Sequence, residues 1–280
     1  MEVLYVVSFR SRSNCIDEVS QKFLKLLVSL GGYCTATQAQ SLFPRSASQV
    51  RGRLKMLERL GFLRRITKYP VVYQVTKSTT RLLTQDSSSR RRHTLPTVQA
   101  RLLAVHFYLE AQGWPAEFVL EHEKKIAWFT ENGCLLSALP QRGGKPYLRE
   151  HFMLWKPECL AIAMIDQPQP KALYQLRVFI EEFRPLLGRW RNEPDLLIVT
   201  ADKGRCYVYE RLLKRHPAIH KLGLGELHSR VKPYSVKPPV PCIAELTWLK
   251  REDNRDFLED DDQFSHGHVT QKASRDLVYE

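Results

Sequence analysis

The chain has 280 residues, of which 43% are hydrophobic, and this is enough for one large domain or two of ordinary size. No run approaches about 18 consecutive apolar residues, and the N-terminus has neither the basic region nor the cleavage site of a signal peptide, so no membrane association is expected. The six cysteines are scattered without a Cys-x-x-Cys pair, which excludes a zinc ribbon and indicates reduced thiols in the cytoplasm of a bacterial cell.

The net charge of +13 is concentrated in the first third of the chain. Residues 1–95 hold 17 Lys and Arg against 5 Asp and Glu, residues 96–250 hold 22 against 16, and residues 251–280 hold 4 against 9. A basic first third predicts a polyanionic partner bound by the N-terminal region. The acidic last segment is poor in apolar residues, so we expect it to be disordered.

Two helices are predicted in the first 45 residues. Apolar residues recur at helical spacing from 19 to 30, and Gly31 and Gly32 then end the helix. Either Thr35 or Thr37 is suited to cap a short second helix, which Pro44 ends.

A third helix and a β-hairpin follow. Ser46 or Ser48 is suited to cap a helix that extends to Leu60, and Gly61 occupies the left-handed position after it. The residues predicted to face inward are Val50, Leu54, Leu57 and Leu60. The segments FLRRIT and VVYQVT are rich in β-branched residues and flank a proline-bearing turn, which predicts a hairpin. Three helices followed by a hairpin are typical of a winged helix-turn-helix.

The remainder predicts a second domain with a mixed sheet, so the fold class is α+β or α/β. A helix is predicted from Thr97 to Gln112. The segments EFVLEHEKKIAWF, GCLLSAL, HFMLW, CLAIAMI and PDLLIVTA are predicted as strands, KALYQLRVFIEEFRPLLGRW as a helix, and the stretch from Cys206 to Leu213 as a strand or a helix. The predicted organisation is a winged helix-turn-helix (1–83), a basic linker (84–96), an α/β domain (97–230), a proline-rich extension (231–250) and an acidic tail (251–280).

The free side of the third helix is the predicted DNA-recognition surface, because an α-helix fits the major groove. Arg51 and Arg53 are suited to guanine, and Gln49 is suited to adenine. Basic residues at the start of the hairpin suit phosphate or minor-groove contacts. The predicted DNA contacts are Ser48, Gln49, Arg51, Arg53, Lys55, Arg59, Arg64, Arg65 and Lys68. Further phosphate contacts are predicted for Arg90, Arg91 and Arg92, for which a solvated linker is the alternative.

The segments LVSLGGYCTATQAQSLFP, RLKMLERLGFLRR and VYQVTKSTTRLL resemble the replication-relaxation proteins of mobile genetic elements. That family is similar in turn to one class of plasmid mobilisation relaxases. The resemblance spans Gln21 to Leu213 and implies a winged helix, a helix containing a histidine (here His106), and a restriction-endonuclease-like domain. CLAIAMID and KALYQLRVFIEEFRPLL resemble the family's last catalytic strand and the helix after it, and DLLIVTADKGR resembles the next strand.

The catalytic pattern implied by this resemblance is incomplete. Such a nuclease needs carboxylates around a divalent metal ion. Tyr147 stands where the family pattern has aspartate, and Met164 stands where it has glutamate, which leaves Asp166 as a single carboxylate. A lone carboxylate holds Mg²⁺ poorly, so we expect an inactive nuclease-like scaffold without a cofactor. Asp166 is the catalytic candidate, with Mg²⁺ as its cofactor, only if the domain is active.

Two weaker candidates for catalysis remain. Pro194-Asp195 with Glu210 resembles the same acidic signature, but leucine replaces its lysine, so Asp195 is expected to be a turn residue before a strand. A relaxase would use Tyr147 or Tyr174 as a covalent nucleophile, although tyrosines usually pack.

Three functions are compatible with these patterns. The first is a site-specific double-stranded-DNA-binding protein that acts as a non-catalytic scaffold or adaptor in transposition, mobilisation or replication, together with other proteins of a nucleoprotein complex. The second is a metal-dependent nuclease or relaxase built on Asp166. The third is a transcriptional regulator. We expect the first, with a nucleoid-associated location when the protein is bound to DNA.

Overall fold

The computed structural model describes residues 14–43, 45–67, 70–84, 93–156, 159–167, 171–187, 194–222 and 229–237. Within these ranges the chain is a mixed α+β structure with a three-stranded sheet, a five-stranded sheet and one two-stranded hairpin. No helix within them is long and apolar enough to cross a bilayer. The predictions for Lys68, for residues 90–92 and for the acidic tail fall outside the described residues.

Residues 14–84, which we call the N-terminal unit, contain four helices and three strands in their described part. They are α1 (Glu18–Ser29), β1 (Tyr33–Thr35), α2 (Ala36–Leu42), α3 (Ala47–Arg59), β2 (Leu63–Thr67), β3 (Val72–Val75) and α4 (Lys77–Thr84). The strands form an antiparallel sheet in the order β1-β3-β2. Fully buried side chains such as Leu24, Leu54 and Leu57 pack α1 and α3 together over a common core.

The predicted three helices and hairpin are present in this order, and Thr35 and Ser46 are the residues that cap α2 and α3. Strand β1 and helix α4 were not predicted. Strand β1 has three residues, which is too short to show a period of two. In α4 the buried residue is Thr79, whose hydroxyl donates to the carbonyl of Phe62 at 2.9 Å, so no apolar pattern marks this helix.

Residues 93–237, which we call the second unit, are built on the five-stranded sheet. Their elements are α5 (Leu95–Ala111), β4 (Glu117–Val119), α6 (His122–Glu131), β5 (Gln141–Arg142), β6 (Lys145–Pro146), β7 (Phe152–Lys156), β8 (Cys159–Ile165), α7 (Ala172–Phe183), β9 (Asp195–Thr200), α8 (Lys203–Arg215), α9 (Pro217–His220) and β10 (Val231–Ser235). The sheet order is β10-β9-β8-β7-β4. Strands β8, β9 and β10 are parallel, and β7 is antiparallel to both of its neighbours.

Two segments predicted as strands fold differently. In EFVLEHEKKIAWF only β4 is a strand, and the rest forms α6, where Lys125 and Phe129 are buried one turn apart. The strand prediction failed because a lysine occupies a buried helix position and hides the apolar period. GCLLSAL is a loop with one 3₁₀ turn at Leu136–Ala138, and the side chain of Leu135 is 74% exposed.

The structure also decides the predictions for two segments near the C-terminal end of the second unit. The stretch from Cys206 to Leu213 is helical and belongs to α8. Strand β10, which the sequence analysis places in a separate proline-rich extension, pairs in parallel with β9 and is an edge strand of the sheet. Pro233 is tolerated there because an edge strand can lack one backbone donor.

Helix α5 joins the two units. The side chain of Gln38 donates to the carbonyl of Leu102 at 2.8 Å, and Arg101 Nη1 donates to the carbonyl of Gly31 at 2.6 Å. Gly31 has a φ of 103°, and a Cβ at this position would lie 2.8 Å from Cγ of Arg101. Buried residues from both units form one continuous hydrophobic cluster, so α5, which the sequence assigns to the second domain, packs against both units.

Candidate nucleic-acid interface

Helix α3 is fixed by a cap at each end and by one apolar face. The backbone nitrogen of Ser46 donates to Oε1 of Gln49 at 3.3 Å, which is half of a capping box. At the other end Gly61 has a φ of 77° and Phe62 donates to the carbonyl of Leu57 at 2.9 Å, which closes a Schellman motif. The residues buried on the inner face of α3 are Val50, Leu54 and Leu57. The side of α3 that carries Ser48, Arg51, Lys55 and Arg59 is therefore held toward solvent.

The outer face of α3 carries a row of exposed side chains, which we call the α3 stripe. Its members are Ser48, Arg51, Lys55 and Arg59. The spacing of three and four residues places them on one side of the helix. None of the three cations forms an ion pair with a described acidic residue, and Nε of Arg51 makes only a local contact of 3.4 Å to the carbonyl of Ala47. The stripe is a continuous positive surface.

Gly52 lies within this stripe, one turn before Lys55 and Met56. It is exposed, it lies inside the helix, and a Cβ built on it would have no atom within 4 Å. Glycine in a helix interior costs about 0.5–1 kcal/mol relative to alanine. Since no described residue packs at this position, Gly52 leaves a notch in the α3 stripe.

Two of the predicted base-reading residues are already engaged inside the chain. Nη1 of Arg53 contacts the carboxylate of Asp17 and the Ser20 hydroxyl, the latter at 2.9 Å. The hydrogen bond from Arg53 lowers the pKa of Asp17, the residue that caps α1. Oε1 of Gln49 accepts from the Ser46 backbone nitrogen at 3.3 Å, but the side chain is exposed and an amide oxygen has a second lone pair, so this contact does not exclude base reading. Arg53 therefore ties α3 to α1, whereas Gln49 makes a local capping contact.

The predicted contact residues of the hairpin, Arg64 and Arg65, already make contacts within the chain. Nε of Arg64 donates to Oε1 of Gln74 on strand β3 at 2.8 Å, which ties it to the sheet. Nε of Arg65 lies 3.7 Å from Oε1 of Glu58, and the side chain of Arg65 remains 50% exposed. The exposed Arg45 lies in the turn just before α3 and was missed by the sequence prediction, although a cation beside the start of a predicted recognition helix could have pointed to it.

The candidate catalytic residue of the second unit has a different environment. Asp166 follows strand β8 and is 2% exposed. Its Oδ2 accepts from Nε of Arg205 at 2.8 Å, and its Oδ1 accepts from Nη2 of Arg205 at 2.7 Å and from the hydroxyl of Tyr209 at 2.6 Å. The hydrogen bond to Asp166 raises the pKa of Arg205, and burial raises the pKa of Tyr209. Both carboxylate oxygens are thus satisfied by protein donors.

The other acidic candidates do not gather around Asp166. Asp195, expected in a turn, is the first residue of β9, and its carboxylate lies 2.8 Å from Nζ of Lys232. Glu210 accepts from the thiol of Cys206 at 3.8 Å. Within the described ranges no group of three His, Cys, Asp or Glu side chains is arranged to hold a metal ion.

The two tyrosine candidates also differ from each other. The hydroxyl of Tyr147 donates to Oε1 of Glu150 at 3.2 Å, and the guanidinium of Arg142 lies 4.9 Å from its ring. Tyr174 is 61% exposed at the start of α7, so the expectation that it packs is wrong. His106, on α5, lies with Nε2 2.7 Å from the carbonyl oxygen of Lys237.

No protein-family model matches the chain, and no curated protein or solved structure matches it either. Its function must be inferred from its own residues.

Proposed function

We propose that the chain binds double-stranded DNA through helix α3, and that the N-terminal unit is a winged helix whose wing is the hairpin of β2 and β3. The observation that carries the proposal is the α3 stripe: three exposed cations at helical spacing without acidic partners among the described residues. The major groove of B-DNA admits one α-helix, and exposed cations on such a helix can neutralise phosphates.

The contacts that we propose differ from those suggested by the sequence alone. Arg45, Ser48, Arg51, Lys55 and Arg59 face the DNA, and Arg65 reaches it from the wing. Gly52 allows the helix axis to approach the groove more closely than a side chain would permit. Arg53 ties α3 to α1 through Asp17 and Ser20 and does not read bases.

For the second unit we propose a non-catalytic scaffold in a mobile-element nucleoprotein complex that serves transposition, mobilisation or replication. The resemblance noted in the sequence suggests this setting. The bidentate contact of Arg205 with Asp166 supports the absence of cleavage, because a metal ion would have to displace a guanidinium and a hydroxyl from a buried carboxylate.

The test is a binding titration by fluorescence anisotropy, followed by footprinting, on duplex DNA from the flanks of the gene that encodes the chain. Charge reversal by Arg51→Glu with Lys55→Glu should weaken binding by about 100-fold at low salt and abolish the footprint. The matched control, Lys25→Glu with Lys124→Glu, makes the same change in net charge at exposed positions on α1 and α6 and should leave the footprint in place. An unchanged footprint in the α3 variant would refute the interface, and duplex cleavage by the wild-type protein in Mg²⁺ would refute the scaffold.

A further inference from the structure

Helices α7 and α8 form a second surface that the proposed DNA interface does not use. They connect β8 to β9 and β9 to β10, which are neighbouring parallel strands, so both crossovers lie on one side of the sheet. The two helices contact each other, and the hydroxyl of Tyr209 on α8 lies 3.1 Å from Oε1 of Gln175 on α7. Their inner faces are buried through residues such as Leu176 and Leu213. Their outer faces therefore lie side by side.

Each outer face carries a solvent-exposed tyrosine. Tyr174 is 61% exposed on α7 and Tyr207 is 63% exposed on α8. Tyr174 is the third residue of α7, beside Gln175, and Tyr207 is the fifth residue of α8, between Arg205 and Tyr209 in the sequence. Among the described residues neither side chain makes a hydrogen bond or a ring contact, whereas Tyr209 is fully buried and bonded. An aromatic ring left in water has its face available for stacking on a partner.

The same surface is rich in cations. The exposed side of α8 carries one tyrosine within a basic row, formed by Lys203, Tyr207, Arg211, Lys214 and Arg215. The exposed Lys171 precedes α7. None of these cations forms an ion pair with a described acidic residue. Of the nearby acids, Glu181 is paired with Arg177 at 3.3 Å, Asp202 caps α8, and Glu210 accepts from Cys206, so the cations of this surface outnumber its unpaired acids.

We propose that the outer faces of α7 and α8 bind a single-stranded polynucleotide. Unpaired bases stack on the rings of Tyr174 and Tyr207, and the phosphates contact Lys203, Arg211 and Lys214. A duplex is the wrong partner for this surface, because its bases are already stacked on one another and only an unpaired base offers a free face. Basic rows interrupted by exposed aromatic rings suit single strands of any sequence. This inference does not depend on the proposed role of α3.

Stacking is tested by anisotropy of a short labelled oligothymidylate and of the matching oligouridylate, which separates DNA from RNA as the natural strand. Tyr174→Ala with Tyr207→Ala should weaken binding by at least about tenfold, because base–aromatic stacking is lost. Tyr174→Phe with Tyr207→Phe keeps both rings and should bind within about twofold of wild type. Thermal unfolding of each variant checks that the fold is retained. Wild-type affinity in the folded alanine variant would overturn the proposal, as would equal weakening by the phenylalanine variant.

Two further variants separate this surface from α3. Arg211→Gln with Lys214→Gln should weaken oligothymidylate binding and reduce its dependence on salt. Arg51→Glu with Lys55→Glu should leave oligothymidylate binding intact even where duplex binding is lost. Loss of single-strand binding in that α3 variant would show that one surface serves both partners and would overturn the inference without touching the duplex proposal.

Discussion

The cations of the α3 stripe and the carboxylate of Asp166 differ in exposure to solvent and in their partners within the chain. Arg51, Lys55 and Arg59 lie in water with no acidic partner among the described residues, whereas Asp166 is 2% exposed and bonded by Arg205 and Tyr209. A charge removed from water must be paired within the chain, but a surface charge costs little to leave unpaired. The exposed cations are therefore available to a partner, and the buried carboxylate is committed to the fold.

The same contrast exists within α3. Arg51 and Arg53 are two residues apart and look alike in the sequence, yet Arg51 is exposed and Arg53 contacts Asp17 and Ser20 on α1. Charge and spacing therefore do not decide which cation is left exposed. The deciding feature is whether an acidic side chain of another element lies within reach.

The largest predicted effect is the loss of folding stability when the buried carboxylate of Asp166 is removed. Asp166→Ala removes the partner of Arg205 and Tyr209 and should lower the free energy of unfolding by about 3 kcal/mol. Urea denaturation measures it. The control Glu121→Ala breaks an exposed pair with Lys124 and should change stability by less than about 0.5 kcal/mol. A loss below about 1 kcal/mol for Asp166→Ala would mean that the carboxylate is not held by the fold and is free for other chemistry.

The second prediction concerns His151 in the second unit, whose ring stacks on Phe179 with Nε2 3.4 Å from Glu182. Burial, aided by Lys125, lowers the pKa of His151 to about 4 from its ordinary 6.5. Since the unfolded chain takes up a proton that the folded chain excludes, stability is complete above pH 6.5 and is lost as the pH falls toward 4. Between pH 6.5 and 4.5 we expect a loss of roughly 2 kcal/mol.

Chemical denaturation at a series of pH values tests this prediction, with His151→Gln as the matched variant. The variant has no titrating group at this position, so its stability should vary less over the same range. If wild type and variant lose stability in parallel, the pH dependence comes from other groups.

The third prediction separates Arg51 from Arg53. Arg53→Ala breaks the contact between α3 and α1 and should lower the free energy of unfolding by about 1 kcal/mol, discounted because Asp17 is 41% exposed. Arg51→Ala should leave stability within about 0.5 kcal/mol and weaken duplex binding, with a smaller salt dependence. Thermal unfolding and anisotropy on the same samples measure both quantities. Equal stability losses in the two variants would contradict the claim that Arg53, but not Arg51, contributes to the fold.

The smallest predicted effect is that of a methyl group at Gly52, which should raise stability and weaken duplex binding. Gly52→Ala should raise the free energy of unfolding by about 0.5–1 kcal/mol, because alanine favours the helix and its Cβ meets no atom within 4 Å. The same methyl group should weaken duplex binding by about tenfold if the DNA approaches α3 at this notch, a factor equivalent to about 1.4 kcal/mol. A more stable variant that binds as tightly as wild type would place the closest approach elsewhere on the helix.

The local parts of the fold could be predicted from the sequence. The apolar spacing of Val50, Leu54 and Leu57 gave the buried face of α3, and the Ser46-x-x-Gln49 pattern is a capping-box signal that could have selected Ser46 over Ser48. Helix α6 could not be predicted in the same way, because its buried Lys125 donates to the carbonyls of Leu148 and His151, far away in the sequence.

Contacts between residues that are far apart in the sequence could not be predicted either. Asp17 and Arg53 are 36 residues apart, and Asp166 and Arg205 are 39 residues apart. No periodicity links such pairs, since they meet only after helices and strands have packed. The sequence could therefore predict which face of α3 is exposed, but not that Arg53 contacts α1 or that Asp166 is bonded by Arg205 and Tyr209.

The central claim is that the cations of the α3 stripe contact DNA phosphates. The most direct test compares the slope of log affinity against log salt for wild type and for Arg51→Gln with Lys55→Gln and Arg59→Gln on one duplex. Each lost phosphate contact should reduce the slope by about 0.9, so the triple variant should lose about 3 units in total. A folded triple variant with the wild-type slope would contradict the claim, because the DNA would then be bound by another surface.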